Sequence, residues 1–302
     1  MSDLPRKLVQ LDRHTYEVIG KKRGGMATVW LLRRPEGGVD ATIFGKFRAV
    51  KTFDALEDAD EAIIENELGT WATLNHPNIV PLIKIARLNF ELAAMMELMP
   101  GTLADYMAGR RQPVDKQMAI AILVDTFRAL LHAQATANIA HLDLKPQNLL
   151  MRSMEKPSVK VSDWGLSRLM ARPGRQPHWL SDPIGWLKGP VVEKTQFQAG
   201  TPIYMAPERF SGAWQIGPAA DVFSVGVIAT ELLTGEIPTL DESNDIRRSV
   251  ESIISYRYLS RASKLLARLE PTWLRFILSL LDPRPERRPT DYQALIAQCE
   301  AL

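Results

Sequence analysis

The stretch His141-Leu142-Asp143-Leu144-Lys145-Pro146-Gln147-Asn148 decides the fold of this chain. It places an aspartate, a lysine and an asparagine at short fixed spacing, directly before the apolar, strand-like residues 149–151. A second motif, Asp163-Trp164-Gly165, follows the alternating residues 159–162. Phosphoryl transfer needs a cradle for the phosphates, a cation on them, metal ligands, and an acceptor for the proton of the incoming hydroxyl. The two motifs contain residue types suited to the last three of these tasks.

Hydrophobic patterning on either side of residue 100 indicates two differently built parts. Before it, alternating segments predict strands at 16–20, 28–33, 47–53 and 92–97, with one charged helix at about 58–74. After it, helical spacing predicts helices at 120–131, 219–233, 245–256, 272–281 and 291–299. The segment from Asp163 to Glu208 is rich in proline and glycine, and such long loops in compact domains are usually functional.

With its motifs in this order, the chain resembles the protein kinase family, in particular the bacterial serine/threonine branch. The resemblance extends from about Tyr16 to the end of the chain. It implies an α+β fold of two lobes in a single domain, residues 1–302. A small, mainly β lobe with one helix is expected at about 16–98, a hinge at about 97–101, and a larger, mainly α lobe at about 102–302. The resemblance also implies ATP as the phosphate donor, Mg²⁺ or Mn²⁺ as the metal, and a protein as the acceptor.

The resemblance assigns roles to the residues of the two opening motifs. Asp143 matches the aspartate that orients the substrate hydroxyl and accepts its proton, and Lys145 matches the lysine that steadies the transferring phosphate. Asn148 and Asp163 match the two magnesium ligands. Because Lys145 is followed by Pro146, serine/threonine specificity is favoured over tyrosine specificity.

Further upstream, Ala49-Val50-Lys51 resembles the lysine strand of the family. Alternate residues of a strand face the same side, so Ala49 can cover adenine while Lys51 reaches the phosphates. The helix partner expected for Lys51 is Glu67, since its spacing to the sequence 76–80 fits the family better than that of Glu65.

The glycine-rich loop of the family is matched by Gly24-Gly25-Met26-Ala27-Thr28-Val29, whose small residues let backbone amides approach phosphates. Counting back from Val29, the first glycine of the family pattern falls on Lys22, whereas Gly20 lies two residues earlier. Either the loop is two residues longer or a lysine replaces that glycine.

The adenine pocket is expected at Met96-Glu97-Leu98-Met99, which resembles the hinge. Met96 stands at the position that gates the back of the pocket, and backbone groups of Glu97 and Met99 are expected to bond adenine. The nucleotide-binding residues implied by the resemblance are Ile19, Gly24, Gly25, Val29, Ala49, Lys51, Met96, Glu97, Met99 and Leu150.

Motifs of the second lobe complete the resemblance. The sequence 200–208 matches the end of the activation segment, and Glu208 is expected to pair with Arg288. Asp221 matches the buried aspartate that braces the catalytic loop.

An apolar column is also expected, in which Trp71, Trp164 and His141 touch in the active state. Trp71 lies four residues after Glu67, so the two occupy neighbouring positions on one helix. Trp164 stands where phenylalanine is usual in the family.

The second departure from the family is Leu142, which stands where most regulated kinases carry an arginine that grips a phosphate on the activation segment. Leucine offers neither charge nor donor. We therefore predict that activity does not depend on a phosphate at Ser181 or Thr195 gripped from the catalytic loop. Control by a partner protein would act through the long activation segment or the insertion 34–45.

Composition excludes several other classes of protein. The 302 residues carry a formal net charge of +2 without a long basic block, so nucleic acid is not expected as a partner. The single cysteine, Cys299, cannot form an intrachain disulfide and is expected to be an inert thiol near a terminal helix. No signal peptide and no membrane-spanning stretch are expected, and the predicted location is cytoplasmic.

Two other functions remain open at this level. A pseudokinase would keep the fold as a binding scaffold, but its usual signature is loss of the lysine, the catalytic aspartate or a metal ligand, and Lys51, Asp143, Asn148 and Asp163 are all present. A small-molecule kinase of the aminoglycoside or choline type shares the two-lobe fold. Lys145 and the sequence 200–208 speak against it, because they resemble the peptide-docking apparatus of protein kinases.

Overall fold

The computed structural model describes residues 8–23, 27–34, 47–53, 58–108, 113–164, 201–210 and 216–302. Within these ranges the fold has a β-rich first lobe and a helical second lobe. The strands are β1 (Leu8–Leu11), β2 (His14–Arg23), β3 (Ala27–Arg33), β4 (Phe47–Phe53), β5 (Leu82–Leu88), β6 (Glu91–Glu97), β7 (Gly101–Thr102), β8 (Leu149–Met151) and β9 (Val159–Val161). The α-helices are α1 (Asp58–Ala72), α2 (Leu103–Ala108), α3 (Lys116–Ala137), α4 (Pro218–Thr234), α5 (Ile246–Ile254), α6 (Tyr258–Leu266), α7 (Pro271–Leu280) and α8 (Tyr292–Glu300).

The first lobe is an antiparallel barrel with the strand order β1-β2-β3-β4-β6-β5. Pairing of Leu11 in β1 with Leu88 in β5 closes it. The inward-facing side chains form a separate apolar core made of Val9, Leu11, Tyr16, Leu32, Val50, Ala86, Leu88, Ala93 and Met95. Closure removes the free strand edges that an open sheet would leave exposed.

Strand β1 corrects the predicted start of the first lobe at about residue 16. Leu8–Leu11 alternates exposed and buried residues, and it pairs with β2 from Leu8↔Glu17 to Leu11↔His14. Four residues give too short a pattern for periodicity to identify. The sequence pattern also does not predict strand β5, although it predicts β6, the strand with which β5 pairs.

Strand β1 should contribute measurably to stability. Replacing Leu11, which is 3% exposed, with alanine is expected to lower the free energy of unfolding by about 2–3 kcal/mol, because a buried leucine leaves a cavity. Leu8→Ala on the same strand is the matched control, since Leu8 is 59% exposed. Urea unfolding measures both. Equal losses for the two variants would show that β1 does not close the core.

The second lobe is organised around helix α3. Asp115 caps its N-terminus by accepting from the Met118 amide, and Asn138 ends it in the left-handed conformation with φ 50°. Helices α4 and α8 pack on it, with the Phe127 and Tyr292 rings 6.1 Å apart. Helix α4 is buried over most of its length, and Gly226 permits close approach of α7, because a Cβ there would lie 3.0 Å from Leu280 and Leu281.

Helix α3 is long and apolar enough to cross a membrane by length and composition, contrary to the expectation that no stretch would be. Its apolar residues nevertheless belong to the main core of the described chain, including Ile122, Leu123, Phe127 and Leu130. Helix α6 lies in the second lobe between α5 and α7 and was not predicted.

A second, smaller sheet has the strand order β7-β8-β9. Val80 donates to the Val161 carbonyl at 2.9 Å, and Val161 donates to the Asn78 carbonyl at 2.8 Å. These bonds tie the segment after α1 to the strand that leads into Asp163, so the helix and the second motif are positioned together.

Cys299 has the environment of an inert thiol. It is fully buried in α8, and burial raises its pKa to about 12. The reactive thiolate is therefore disfavoured.

Candidate active site

The catalytic loop brings Asp143, Lys145 and Asn148 into one hydrogen-bonded cluster. Lys145 Nζ lies 2.8 Å from Asp143 Oδ2. Asn148 Nδ2 donates to the Asp143 carbonyl at 2.8 Å and to Asp143 Oδ2 at 3.1 Å. A short 3-10 turn, Pro146–Asn148, makes these contacts possible by folding the loop back on itself. The side chains that the sequence singled out by spacing therefore meet at one carboxylate.

Asp221, in the first turn of α4, braces this loop as predicted. Its carboxylate accepts from the His141 amide and the Leu142 amide, both at 2.7 Å. The side chain is fully buried, and burial raises the pKa of Asp221, opposed by the hydrogen bonds from the His141 and Leu142 amides. Leu142 has a φ of 63°, a conformation that a leucine rarely adopts. The brace therefore holds a strained peptide next to Asp143.

Asp163 faces the cluster from the end of β9 and pairs with Lys51. Lys51 Nζ lies 2.8 Å from Asp163 Oδ2, and the two side chains are 14% and 20% exposed. Burial alone would raise the pKa of Asp163, but the Lys51 ammonium and its hydrogen bond, with the charge of Lys145, hold that pKa below its usual range. Asp163 is thus an anion that is paired with Lys51 and also stabilised by the charge of Lys145.

The expected partner of Lys51, Glu67, is not the residue with which Lys51 pairs in this structure. Glu67 lies on α1 and is 7% exposed. The Lys51 ammonium contacts Asp163 instead. One ammonium reaches whichever carboxylate the backbone brings closest, and here that is Asp163. The assignment of Glu67 to catalysis stays a prediction for the nucleotide-bound state.

The predicted magnesium ligands, Asn148 and Asp163, fit a hard cation by their chemistry. Both offer oxygen donors, which Mg²⁺ prefers. The Ser162 amide and hydroxyl donate to the Asn148 carbonyl at 2.9 and 3.1 Å, which keeps the residue before Asp163 beside Asn148. Asn148 Nδ2 is bonded to Asp143, so Oδ1 is the ligand atom that its amide offers. No cluster of three His, Cys, Asp or Glu residues suited to a metal occurs in the described ranges.

Of the expected apolar column, the contact between His141 and Trp164 is formed. The His141 and Trp164 rings meet edge to face with centroids 4.9 Å apart, and both side chains are fully buried. His141 Nδ1 accepts from the Asp143 amide at 3.2 Å, which assigns Nε2 as the donor to the Ser162 carbonyl at 2.7 Å. The ring of His141 thereby links both motifs.

Trp71 and Trp164 are linked indirectly, through hydrogen bonds to backbone groups of Val80 and Val161. Trp71 on α1 is fully buried and donates from Nε1 to the Val80 carbonyl at 2.8 Å, while Trp164 Nε1 donates to the Val161 carbonyl at 3.1 Å. The Val80 amide bonds the same Val161 carbonyl. Direct contact between Trp71 and Trp164 stays a prediction.

Two residues of the expected adenine pocket lie side by side in the barrel. Ala49 on β4 pairs with Met96 on β6, and both are buried. Val29 and Leu150 pack against the same core. Ile19 lies at a bulge of β2 and is 44% exposed.

The hinge carries an ion pair that the sequence did not predict. Glu97 and Met99 are half-buried, and Lys160 of β9 donates to Glu97 Oε2 at 2.5 Å. Lys160 alternates with buried Val159 and Val161, so a strand pattern would point it away from the core.

Lys22 lies within β2 and pairs with Val29, so the strand continues through the position where the family has its first glycine. A bulge between Val18 and Gly20 absorbs the extra residue of this strand. Lys22 Nζ reaches Asp105 Oδ1 of α2 at 3.4 Å. A lysine therefore occupies this position and contacts the second lobe.

Glu208 and Arg288 form the predicted ion pair. The guanidinium binds the carboxylate through two parallel bonds of 2.7 and 2.8 Å. Arg288 also donates to the carbonyls of Asp282, Ala219 and Pro283. The end of the activation segment is thus fixed to the second lobe.

Several predicted residues lie outside the described ranges. They are Gly24 and Gly25 of the glycine-rich loop, residues 35–45 of the insertion, and the activation-segment residues Ser181 and Thr195.

Comparison with known proteins agrees with this geometry. The sequence model of the protein kinase domain family matches residues 24–299. Serine/threonine-protein kinase pkn3 of Myxococcus xanthus is 27% identical over 244 residues, which cover 80% of this chain and 42% of the relative. A probable serine/threonine-protein kinase PknB of Lactococcus lactis is 27% identical over 242 residues, covering 77% and 34%. The hormonally up-regulated neu tumor-associated kinase of Mus musculus is 30% identical over 222 residues, covering 74% and 28%.

Proposed function

Because the chain belongs to the protein kinase family, we propose that it transfers the γ-phosphate of ATP to serine and threonine hydroxyls of proteins. The observation that carries the proposal is the assembled cluster: Asp143 is bonded by Lys145 and Asn148, and Asp163 by Lys51. The cluster thus combines a carboxylate, two cations and two oxygen ligands for a metal.

Each residue of the cluster has a distinct task in transfer. Asp143 accepts the hydroxyl proton and orients the attacking oxygen. Lys145, already 2.8 Å from Asp143, stabilises the negative charge of the transferring phosphate, and Lys51 holds the phosphates of the donor. Asn148 and Asp163 would hold Mg²⁺, which neutralises charge on the phosphate oxygens when bound. Transfer in this site depends on positioning and charge rather than on a covalent intermediate.

The geometry favours this function over the two alternatives. A scaffold without chemistry has no need for Lys145 and Asn148 to share one carboxylate, because that arrangement sets the orientation of Asp143. A small-molecule kinase has no need for the peptide-docking end of the activation segment, which Arg288 fixes here through Glu208.

The match covers 42% of the length of pkn3 and 34% of the length of PknB. The substrates and partners of the whole protein are therefore proposals. We propose a protein substrate, no nucleic-acid partner and a cytoplasmic location. Partner proteins would dock on the activation segment or on the insertion that begins at Arg34.

The test is to incubate the purified chain with radiolabelled ATP, Mg²⁺ and a mixture of serine, threonine and tyrosine peptides. Phosphoserine and phosphothreonine are expected, and chelation of the metal with EDTA should abolish both. Choline and an aminoglycoside serve as alternative acceptors. Label on a small molecule and none on peptides would contradict the proposal, as would ATP binding without any transfer.

A further inference from the structure

Arg209 is a buried arginine to which the family resemblance gave no task. It follows Glu208 in the 3-10 turn Pro207–Phe210. Glu208 bonds Arg288, whereas the Arg209 guanidinium extends to the catalytic loop and donates from Nη1 to the Leu142 carbonyl. The residue is only 5% exposed. Neighbouring residues of one turn thus make contacts with two different parts of the second lobe.

The surroundings of this guanidinium are acidic. Burial lowers the pKa of Arg209, and the negative charges of Asp143, Asp221 and Glu208 oppose that shift. The charge of Arg209 in turn acts on the buried Asp221 carboxylate. Because an arginine stays protonated in proteins, Arg209 is a permanent cation beside the catalytic aspartate and its brace.

Both backbone groups of Leu142 are held by charged side chains. The amide donates to Asp221 Oδ1 at 2.7 Å, and the carbonyl accepts from Arg209. This peptide has the left-handed φ of 63° that a leucine rarely adopts. A strained conformation persists only where its surroundings determine it, and here Asp221 binds the amide and Arg209 binds the carbonyl. Asp143 follows directly and takes its orientation from this peptide.

We propose that Arg209 is a positioning residue that supplies the positive charge missing at Leu142 and holds Asp143 in its catalytic orientation without a phosphate on the activation segment. This inference rests on the proposed transfer reaction and concerns its regulation. In a kinase with arginine at the position of Leu142, that arginine needs a phosphate as its anion. Arg209 instead bonds the Leu142 carbonyl directly, and the negative charges that act on it, Asp143, Asp221 and Glu208, are part of the chain.

The kinetic test compares Arg209→Met, which keeps length and loses charge, with Arg209→Lys, which keeps charge. Both are treated with phosphatase and checked by mass spectrometry. Arg209→Met should lower kcat by about tenfold or more with the KM for ATP unchanged within about twofold, and Arg209→Lys should recover part of kcat. Arg257→Met is the control, because Arg257 is an exposed arginine paired with Glu251. Its kcat should equal that of the wild type.

Hydrogen exchange of the peptide 141–145 gives a readout that does not need activity. Arg209→Met should accelerate exchange of these amides, and Arg257→Met should not. Unchanged exchange, or kcat within about twofold of wild type for Arg209→Met, would overturn the inference. Equal losses of kcat in the Lys and Met variants, in step with their thermal destabilisation, would also overturn it. If Arg209→Met does not fold, the same two measurements on Arg209→Lys decide. A partly retained kcat supports the inference, and a loss of about tenfold or more without any change in the exchange of peptide 141–145 overturns it. An inactive wild type with the expected exchange difference would contradict only the proposed function.

Discussion

Replacing Asp163 with alanine is expected to lower kcat for phosphoryl transfer by roughly a hundredfold or more, and Lys51→Met should do the same. The two side chains form one ion pair, 2.8 Å long, that lies in a partly open cleft and outside the apolar core. The fold should therefore survive both changes. Nucleotide binding, measured with a fluorescent analogue, is expected to persist, because the apolar surface around Ala49 and Met96 remains.

The matched control for Lys51→Met is Lys84→Met. Lys84 also pairs with an aspartate, Asp12, but on the far side of the barrel between β5 and the turn after β1. Its removal should leave kcat unchanged. An active, purified Asp163→Ala enzyme would contradict the metal-ligand assignment, and loss of activity in Lys84→Met would mean that lysine removal acts through the stability of the barrel.

The catalytic cluster could be predicted from sequence because its members lie in one short loop. Asp143, Lys145 and Asn148 are separated by so few residues that the backbone has little freedom to part them. The partner of Lys51 could not be predicted in the same way. Helical spacing places Glu67 on the correct face of α1, but it does not fix the distance between α1 and β4. In the structure, the ammonium of Lys51 contacts a different carboxylate, that of Asp163.

Elements without a strong pattern were missed for physical reasons. Strand β1 is only four residues long, and although it forms a hairpin with β2, its other pairing partner, β5, is distant in sequence. Helix α2 is six residues long, too short for a helical period to repeat. Both are stabilised by tertiary contacts that no local pattern encodes.

Arg209 shows the limit for single charged residues. Arginines are mostly exposed, so a lone arginine after Pro207-Glu208 is expected in solvent. Its burial follows from the anchoring of Glu208 by Arg288, which turns the next side chain toward the catalytic loop. The sequence predicts the Glu208–Arg288 ion pair, but it does not predict that this pair turns the Arg209 side chain toward the catalytic loop.

That anchor should also be the most stabilising contact at this end of the activation segment. Arg288→Met is expected to lower the free energy of unfolding by about 3–5 kcal/mol, because it leaves the Glu208 carboxylate uncompensated in a nearly buried position. It also removes the donors to the carbonyls of Asp282, Ala219 and Pro283. Urea unfolding followed by circular dichroism measures the change.

Arg284→Met is the control for this prediction, because Arg284 lies in the same loop and pairs with Asp282 in a position that is 48% exposed. An exposed pair contributes at most about 1 kcal/mol, so this variant should unfold close to the wild type. Glu208→Gln and the double variant complete a cycle with Arg288→Met, and a large coupling energy is expected for two residues in direct contact. If Arg288→Met costs no more than Arg284→Met, the activation segment is held by other contacts, and the turn that carries Arg209 does not depend on this ion pair.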